Sequence, residues 1–141
     1  MPTRKSNAEW NGDLKSGKGR MAFGSGAFEG QFSFDSRFES GTGTNPEELL
    51  AAAHAGCFSM AFSNILDDNG HTPESVKTTA AVSLGEKDGE PHIGEVKLTC
   101  QAKVPGISQD EFDDLADKAK RGCPVSKLFA DADISLEATL V

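Results

Sequence analysis

Two cysteines stand where a purely structural thiol has no need to be. Cys57 lies inside the apolar run Pro46-Glu47-Glu48-Leu49-Leu50-Ala51-Ala52-Ala53-His54-Ala55-Gly56-Cys57-Phe58-Ser59-Met60-Ala61-Phe62. Cys123 lies in Arg121-Gly122-Cys123-Pro124-Val125-Ser126, where one expected helix stops and another starts. Two thiols far apart in sequence, one in mid-helix and one at a helix mouth, suggest a redox pair.

Each candidate has a plainer reading beside the chemical one. Cys57 could simply fill the core as a small hydrophobe. It stands 12 residues past Asn45, about 18 Å along a helix axis, beyond the reach of the helix dipole. An unassisted thiol with a pKa near ~8.5 is only slightly ionised at neutral pH, and burial ionises it less. A reactive Cys57 therefore needs a cation from elsewhere. Cys123 precedes Pro124, so free backbone N–H groups at a helix start would favour its thiolate. By local electrostatics alone Cys123 is the more acidic thiol. The third cysteine, Cys100, alternates with Leu98 and Ala102 on an apolar strand face and reads as core.

His54 is one turn before Cys57 and shares its helix face. A metal would need three or four ligands, and none joins this pair, since His71 and His92 stand in turn-like sequence. No metal is expected. Glu47 and Glu48 suit the first turn of a helix, and dipole complementarity accounts for Glu48. A carboxylate alone beside Cys57 would raise its pKa, so a functional glutamate must act on a cation. Arg37 is a plausible one.

The elements that must position these residues follow from pattern. Residues 6–24 read as a β-hairpin, with Trp10 and Leu14 before the turn and Met21 and Phe23 after it. A third strand is expected over 31–38, with Phe32, Phe34 and Phe38 on one face and Arg37 on the other. Asn45 caps a helix that carries Pro46 at its first position and runs to about Asp67. Strands follow at about 76–84 and 93–104, with Val96, Leu98, Cys100, Ala102 and Val104 on one face. Ser108 to Glu111 reads as a capping box opening a helix to about Arg121. A short helix at 124–130 and a strand at 134–140 complete an α+β chain, expected to be a single domain over 1–141.

Composition narrows the function classes. At 141 residues one domain can bury about two-thirds of its unfolded surface. A net charge of −8 argues against nucleic-acid backbones and anionic membranes as partners. Nine Phe with no Tyr suit a core or an apolar substrate pocket. The first residues lack the apolar stretch of a secretory signal, and the apolar run Leu49 to Phe62 spans 14 residues, too short to cross a bilayer. Three cysteines make no disulfide framework. A cytoplasmic location, with thiols initially reduced, is the expectation.

The stretch from Arg37 to Ala61, with Thr42-Gly43-Thr44-Asn45-Pro46-Glu47 and His54-Ala55-Gly56-Cys57 inside it, resembles the OsmC/Ohr family of osmotically inducible and organic hydroperoxide resistance proteins. Arg121-Gly122-Cys123-Pro124-Val125-Ser126 and the first hairpin are similar to that family too, and the position of Arg37 resembles its OsmC branch. The resemblance implies a peroxidase that reduces organic hydroperoxides, and hydrogen peroxide more weakly, within an intertwined homodimer. Cys57 would match the attacking cysteine, Cys123 the resolving one, and Arg37 with Glu47 the activating pair. It also implies no bound cofactor, with electrons from a lipoyl dithiol such as dihydrolipoamide or a lipoylated protein. Phe38 and Phe58 are candidate walls of the substrate pocket. Two rivals remain: a non-catalytic dimeric carrier of an apolar or lipoyl ligand, and a Cys–His hydrolase built on Cys57 and His54.

Overall fold

A computed structural model describes residues 1–130 and 132–141. The chain divides into two compact units, Met1–Leu49 and Leu50–Val141. The elements are those of an α+β fold, as the sequence pattern implied.

In the first unit, β1 (Ser6–Asn11), β2 (Lys18–Phe23) and β3 (Glu29–Ser33) form an antiparallel sheet in sequence order. Trp10 of β1 and Phe32 of β3 meet across Gly19 of β2, with ring centroids 5.3 Å apart. The strand expected over 31–38 is not formed to that length. It stops at Ser33, and Phe34–Phe38 is a short helix, α1. The cause is local capping: the Ser33 hydroxyl accepts from the Ser36 N–H, while the Ser36 hydroxyl accepts from the Ser33 N–H. Phe34 and Phe38, four residues apart, then stack with centroids 4.8 Å apart.

Helix α2 (Pro46–Asp68) begins where the Asn45 side chain accepts the Glu48 N–H at 2.8 Å. It ends within a residue of the expected bound, and by length and composition alone its 23 residues could cross a membrane. Its side chains point to another role. His54, Phe58, Phe62 and Leu66 recur every fourth residue and are all fully buried. Each buried Phe or Leu contributes about 1.5–3 kcal/mol relative to exposure.

That stripe meets the second sheet's core. β4 (Ser75–Lys87) pairs antiparallel with β5 (Glu90–Lys103), and β6 (Asp133–Leu140) pairs parallel with β5. Val96, Leu98, Cys100 and Ala102 of the central strand are fully buried, and the alternate residues face water. Both hairpin strands run further than expected, because Asp88 and Gly89 alone, both at positive φ, make the turn. A parallel return needs a crossover, supplied here by α3 (Gln109–Gly122) and α4 (Pro124–Leu128). Ser108 caps α3 by accepting the Glu111 N–H. The Glu111 carboxylate turns to His71 at 3.1 Å, where a full capping box would use it on the cap backbone. Phe112, Leu115, Ala116 and Ala119 are the buried face of α3.

Candidate active site

The thiol pair lies within the second unit. α2 presents Cys57 partly buried beside Phe58, and the helical spacing that buries His54 and Phe58 places Cys57 at the edge of the same face. α3 ends at Gly122, and Cys123 caps its end through its N–H, which donates to the Ala119 carbonyl at 2.9 Å. Cys123 also precedes α4, with Pro124 at the first helical position. The Cys57 and Cys123 sulfurs are 3.0 Å apart, both as free thiols. Cys100 is fully buried in the core away from this pair, and burial pushes its thiol up.

The two thiols are driven in opposite directions. Burial raises the pKa of Cys57; the Cys123 sulfur raises it further, and the Val125 N–H partly opposes this. Burial also acts upward on Cys123, but the hydrogen bond with Cys57, the Ser126 N–H and hydroxyl, and the Val125 N–H outweigh it, so its pKa is lowered. Of the two thiols, Cys123 is therefore the one that its local surroundings make more acidic. This is the order that the helix mouth at Cys123 led us to expect.

His54 is fully buried, and its Nε2 lies 2.8 Å from the Ser126 Oγ. Its Nδ1 has no partner among the described residues. Burial lowers its pKa, so the ring is neutral. It is bonded to Ser126 and so is not engaged with Cys57 as a Cys–His base. The sequence reading missed Ser126; its signal was a hydroxyl at the third helical position after a cysteine cap, where it faces back to the cap.

The charge pair lies within the first unit. Arg37 was expected on the polar face of a strand; it is on α1 instead, beside Phe38, with its guanidinium carbon 5.3 Å from the ring centroid. Arg37 Nη2 donates to Glu47 Oε1 at 2.8 Å, and Nε lies 3.3 Å from both carboxylate oxygens. The Glu47 side chain is only 9% exposed and that of Arg37 35%. A tight loop brings them together. Ser36 Oγ donates to the Thr44 carbonyl at 2.8 Å, and Asn45 Nδ2 donates to the Ser36 carbonyl at 3.0 Å. Gly43 adopts φ 126°, and a Cβ there would come within 2.7 Å of the Gln31 carbonyl oxygen.

Arg37 and Phe38 also line an apolar cleft of about 450 Å³ with Trp10, Leu14, Phe32 and Phe34. Phe58, expected as a second wall, is wholly buried in the core of the second unit. Among the described residues no group of three or more His, Cys, Asp or Glu side chains is arranged to hold a metal ion.

Residues 39–138 match the model of the OsmC-like protein family. The chain belongs to that family. It is 47% identical over 138 residues to peroxiredoxin OsmC of Escherichia coli (strain K12), covering 97% of this chain and 96% of that protein. It is 38% identical over 86 residues to organic hydroperoxide resistance protein-like 1 of Staphylococcus saprophyticus, 60% of either chain. Among solved structures, an organic hydroperoxide resistance protein OsmC from Legionella pneumophila superposes with a TM-score of 0.74 at 24% identity, over 99% of both chains. An OsmC-like protein from Mycoplasma pneumoniae gives 0.77 at 16% identity, over 99% of this chain and 98% of that one. These two likenesses establish the fold. The matched family span holds Glu47, Cys57 and Cys123, and Arg37 stands two residues before it.

Proposed function

We propose that this protein reduces organic hydroperoxides to alcohols through a sulfenic acid on Cys57 and a Cys57–Cys123 disulfide. A peroxidase-type redox role is what its near full-length identity to a peroxiredoxin supports. The observation that carries the finer reading is the 3.0 Å approach of the two free sulfurs. A thiol pair that close closes a disulfide with little movement, since S–S bonding needs about 2 Å.

In this reading the Cys57 thiolate attacks one peroxide oxygen, the O–O bond breaks, and the alkoxide leaves and takes a proton to become the alcohol. The sulfur has then lost two electrons and carries the oxygen as a sulfenic acid. Cys123 attacks that sulfur, the S–O bond breaks, and hydroxide leaves as water. A dithiol of the lipoyl type then exchanges with the disulfide and restores both thiols, with no resident cofactor.

The local field makes Cys123 the more acidic thiol, so an added cation is required for Cys57 to be the attacking thiol. The Arg37 guanidinium, held by the buried Glu47 carboxylate, is the candidate. A full charge brought to the thiolate would outweigh the partial charge of roughly +0.5 at a helix start. The apolar cleft beside Arg37 favours an alkyl-bearing peroxide over hydrogen peroxide.

A homodimer is part of the proposal. Ala52, Ala53, Gly56 and Met60 form an exposed face of α2, with Met60 77% exposed, and a second copy would cover it. The reading also places the protein in the cytoplasm, where its thiols start reduced.

The test is a thiol titration before and after one equivalent of an organic hydroperoxide, without reductant. Loss of two thiols per chain, with Cys100 still free and Cys57 linked to Cys123 in the peptide map, supports the proposal. A chain that keeps all three thiols overturns it and leaves a ligand carrier as the better account.

A further inference from the structure

The two sulfurs of the pair differ in how an incoming thiol can reach them. Cys123 has no exposed surface and belongs to the apolar core with Phe58, Leu115 and Ala119. Its backbone is held on both sides: its N–H donates to the Ala119 carbonyl at 2.9 Å, and its carbonyl accepts the Lys127 N–H at 3.1 Å. Cys57 packs against that core from α2 but is itself partly exposed. Both residues lie in the second unit.

We propose that the reducing dithiol attacks Cys57, so that the mixed disulfide forms on Cys57 and Cys123 is the thiol expelled. The inference rests on the Cys57–Cys123 disulfide of the peroxidase reading and adds the direction in which that disulfide is opened.

The line of attack carries the argument. In thiol–disulfide exchange a thiolate attacks one sulfur while the other leaves, with the three sulfurs nearly in line. Attack on Cys123 therefore needs an approach from the side away from Cys57, through a core that leaves Cys123 no exposed surface. The end of α3 or the start of α4 must open first, and only the open fraction of the protein reacts. Attack on Cys57 uses access that the cycle already demands, because peroxide must reach the same sulfur. A second copy packed on α2 can cover Cys57 further, but it cannot uncover Cys123, which one chain buries alone.

The leaving group agrees with this direction. A thiol of lower pKa leaves faster. Burial acts upward on both thiols, yet the hydrogen bonds around Cys123 bring it below its ordinary value, while Cys57 stays above its own. The acidity of Cys123 has no part in the attack on peroxide. Here it eases departure.

The step balances. One thiol of the reductant loses its proton, its sulfur bonds to Cys57, the Cys57–Cys123 bond breaks, and the electron pair leaves on Cys123, which takes up a proton. The second thiol then loses its proton and bonds to the first sulfur of the reductant. The bond to Cys57 breaks, and Cys57 leaves as the thiolate. The reductant gives up two electrons and becomes a cyclic disulfide, and the protein disulfide takes up the two. Until the ring closes, Cys123 is free to attack Cys57 and re-form the protein disulfide, since the two sulfurs stand 3.0 Å apart as thiols. A monothiol bound to Cys57 is expelled by that return.

The experiment uses the unmodified protein, oxidised by one equivalent of an organic hydroperoxide. It is mixed with 2-mercaptoethanol, which cannot close a ring, and quenched rapidly with acid; free thiols are capped with a maleimide and the peptides are mapped by mass spectrometry. The expected product carries mercaptoethanol on Cys57 and maleimide on Cys123, in at least about tenfold excess over the reverse pattern. A second reading needs no trapped adduct. The rate of reduction by dihydrolipoamide is followed in rising urea, well below the unfolding transition. Attack at Cys57 proceeds from the folded chain, so the rate should change by less than about twofold, whereas attack at Cys123 would climb exponentially as urea favours the opening.

Mercaptoethanol on Cys123 with maleimide on Cys57, or a rate that climbs exponentially with urea, overturns the proposal while leaving the peroxidase reading intact. Where no adduct survives the quench, the urea dependence decides alone. Failure of the peroxide-treated protein to form the Cys57–Cys123 disulfide, read on the same sample before any thiol is added, overturns both.

Discussion

Cys123 places its sulfur 3.0 Å from that of Cys57 although 66 residues separate them in sequence. No local pattern produces that approach. It comes from α2 packing its every-fourth-residue stripe on the sheet, and from α3 ending just where its buried face would bring Cys123 to the same core. The contact depends on tertiary packing, so its chemistry should be sensitive to whatever moves either helix.

The Arg37–Glu47 pair should behave as one unit. Arg37→Ala and Glu47→Ala should each slow alkylation of Cys57 at neutral pH, and the double variant should fall short of their sum, with a coupling of about 0.5–3 kcal/mol. Stability should separate them. Arg37→Ala strands a carboxylate that is 9% exposed, whereas Glu47→Ala leaves a guanidinium able to reach water. Arg37→Ala should therefore cost more, about 1–3 kcal/mol in denaturant unfolding. Simple addition of the two alkylation effects would show that Glu47 does not act through Arg37.

Gly43 is the pivot of the loop that holds that pair. Gly43→Ala forces a side chain into φ 126° and against the Gln31 carbonyl. The expected cost is about 1–3 kcal/mol, with Cys57 alkylation slowed as in Arg37→Ala. An unchanged melting temperature together with unchanged alkylation would contradict this role of the loop.

His54 should leave a signature in the pH dependence of stability. Burial lowers its pKa in the folded chain below the unfolded value of about 6.5. The unfolded state therefore binds the proton first. The contribution of His54 is fully present above about pH 6.5 and is lost as pH falls through the folded pKa, at up to about 1.4 kcal/mol per unit. Denaturant midpoints should drop as pH falls below about 6.5, and His54→Phe should flatten that part of the curve. An identical slope in the variant would show that His54 is free to charge within the fold.

Most of the fold is legible along the chain because its elements are bounded by strong local chemistry. Asn45 with Pro46, Ser108 with Glu111, and the alternation from Val96 to Val104 each fix an element to within a few residues. The failure at 31–38 has a definite cause. Phe32 and Phe34 fit a period of two, while Phe34 and Phe38 fit a period of four, so the phenylalanines alone cannot decide. The Ser33–Ser36 cap decides for a helix. Arg37 consequently reaches Glu47 from a helix turn. At the site, the residue types were readable from family resemblance, but Ser126 was not, because a serine after Cys-Pro-Val looks like ordinary helix-start polarity. Only its contact with His54, 72 residues earlier, sets it apart.

Which sulfur attacks peroxide is the central claim, since the local field makes Cys123 the more acidic thiol and the Arg37–Glu47 pair is proposed to reverse that. Mass spectrometry of Cys57→Ser and Cys123→Ser after a single equivalent of an organic hydroperoxide tests it most directly. The account predicts that Cys57→Ser consumes no peroxide, whereas Cys123→Ser gains one oxygen on Cys57 and over-oxidises with excess. Oxygen on Cys123 in Cys57→Ser, with an inert Cys57 in Cys123→Ser, would contradict it.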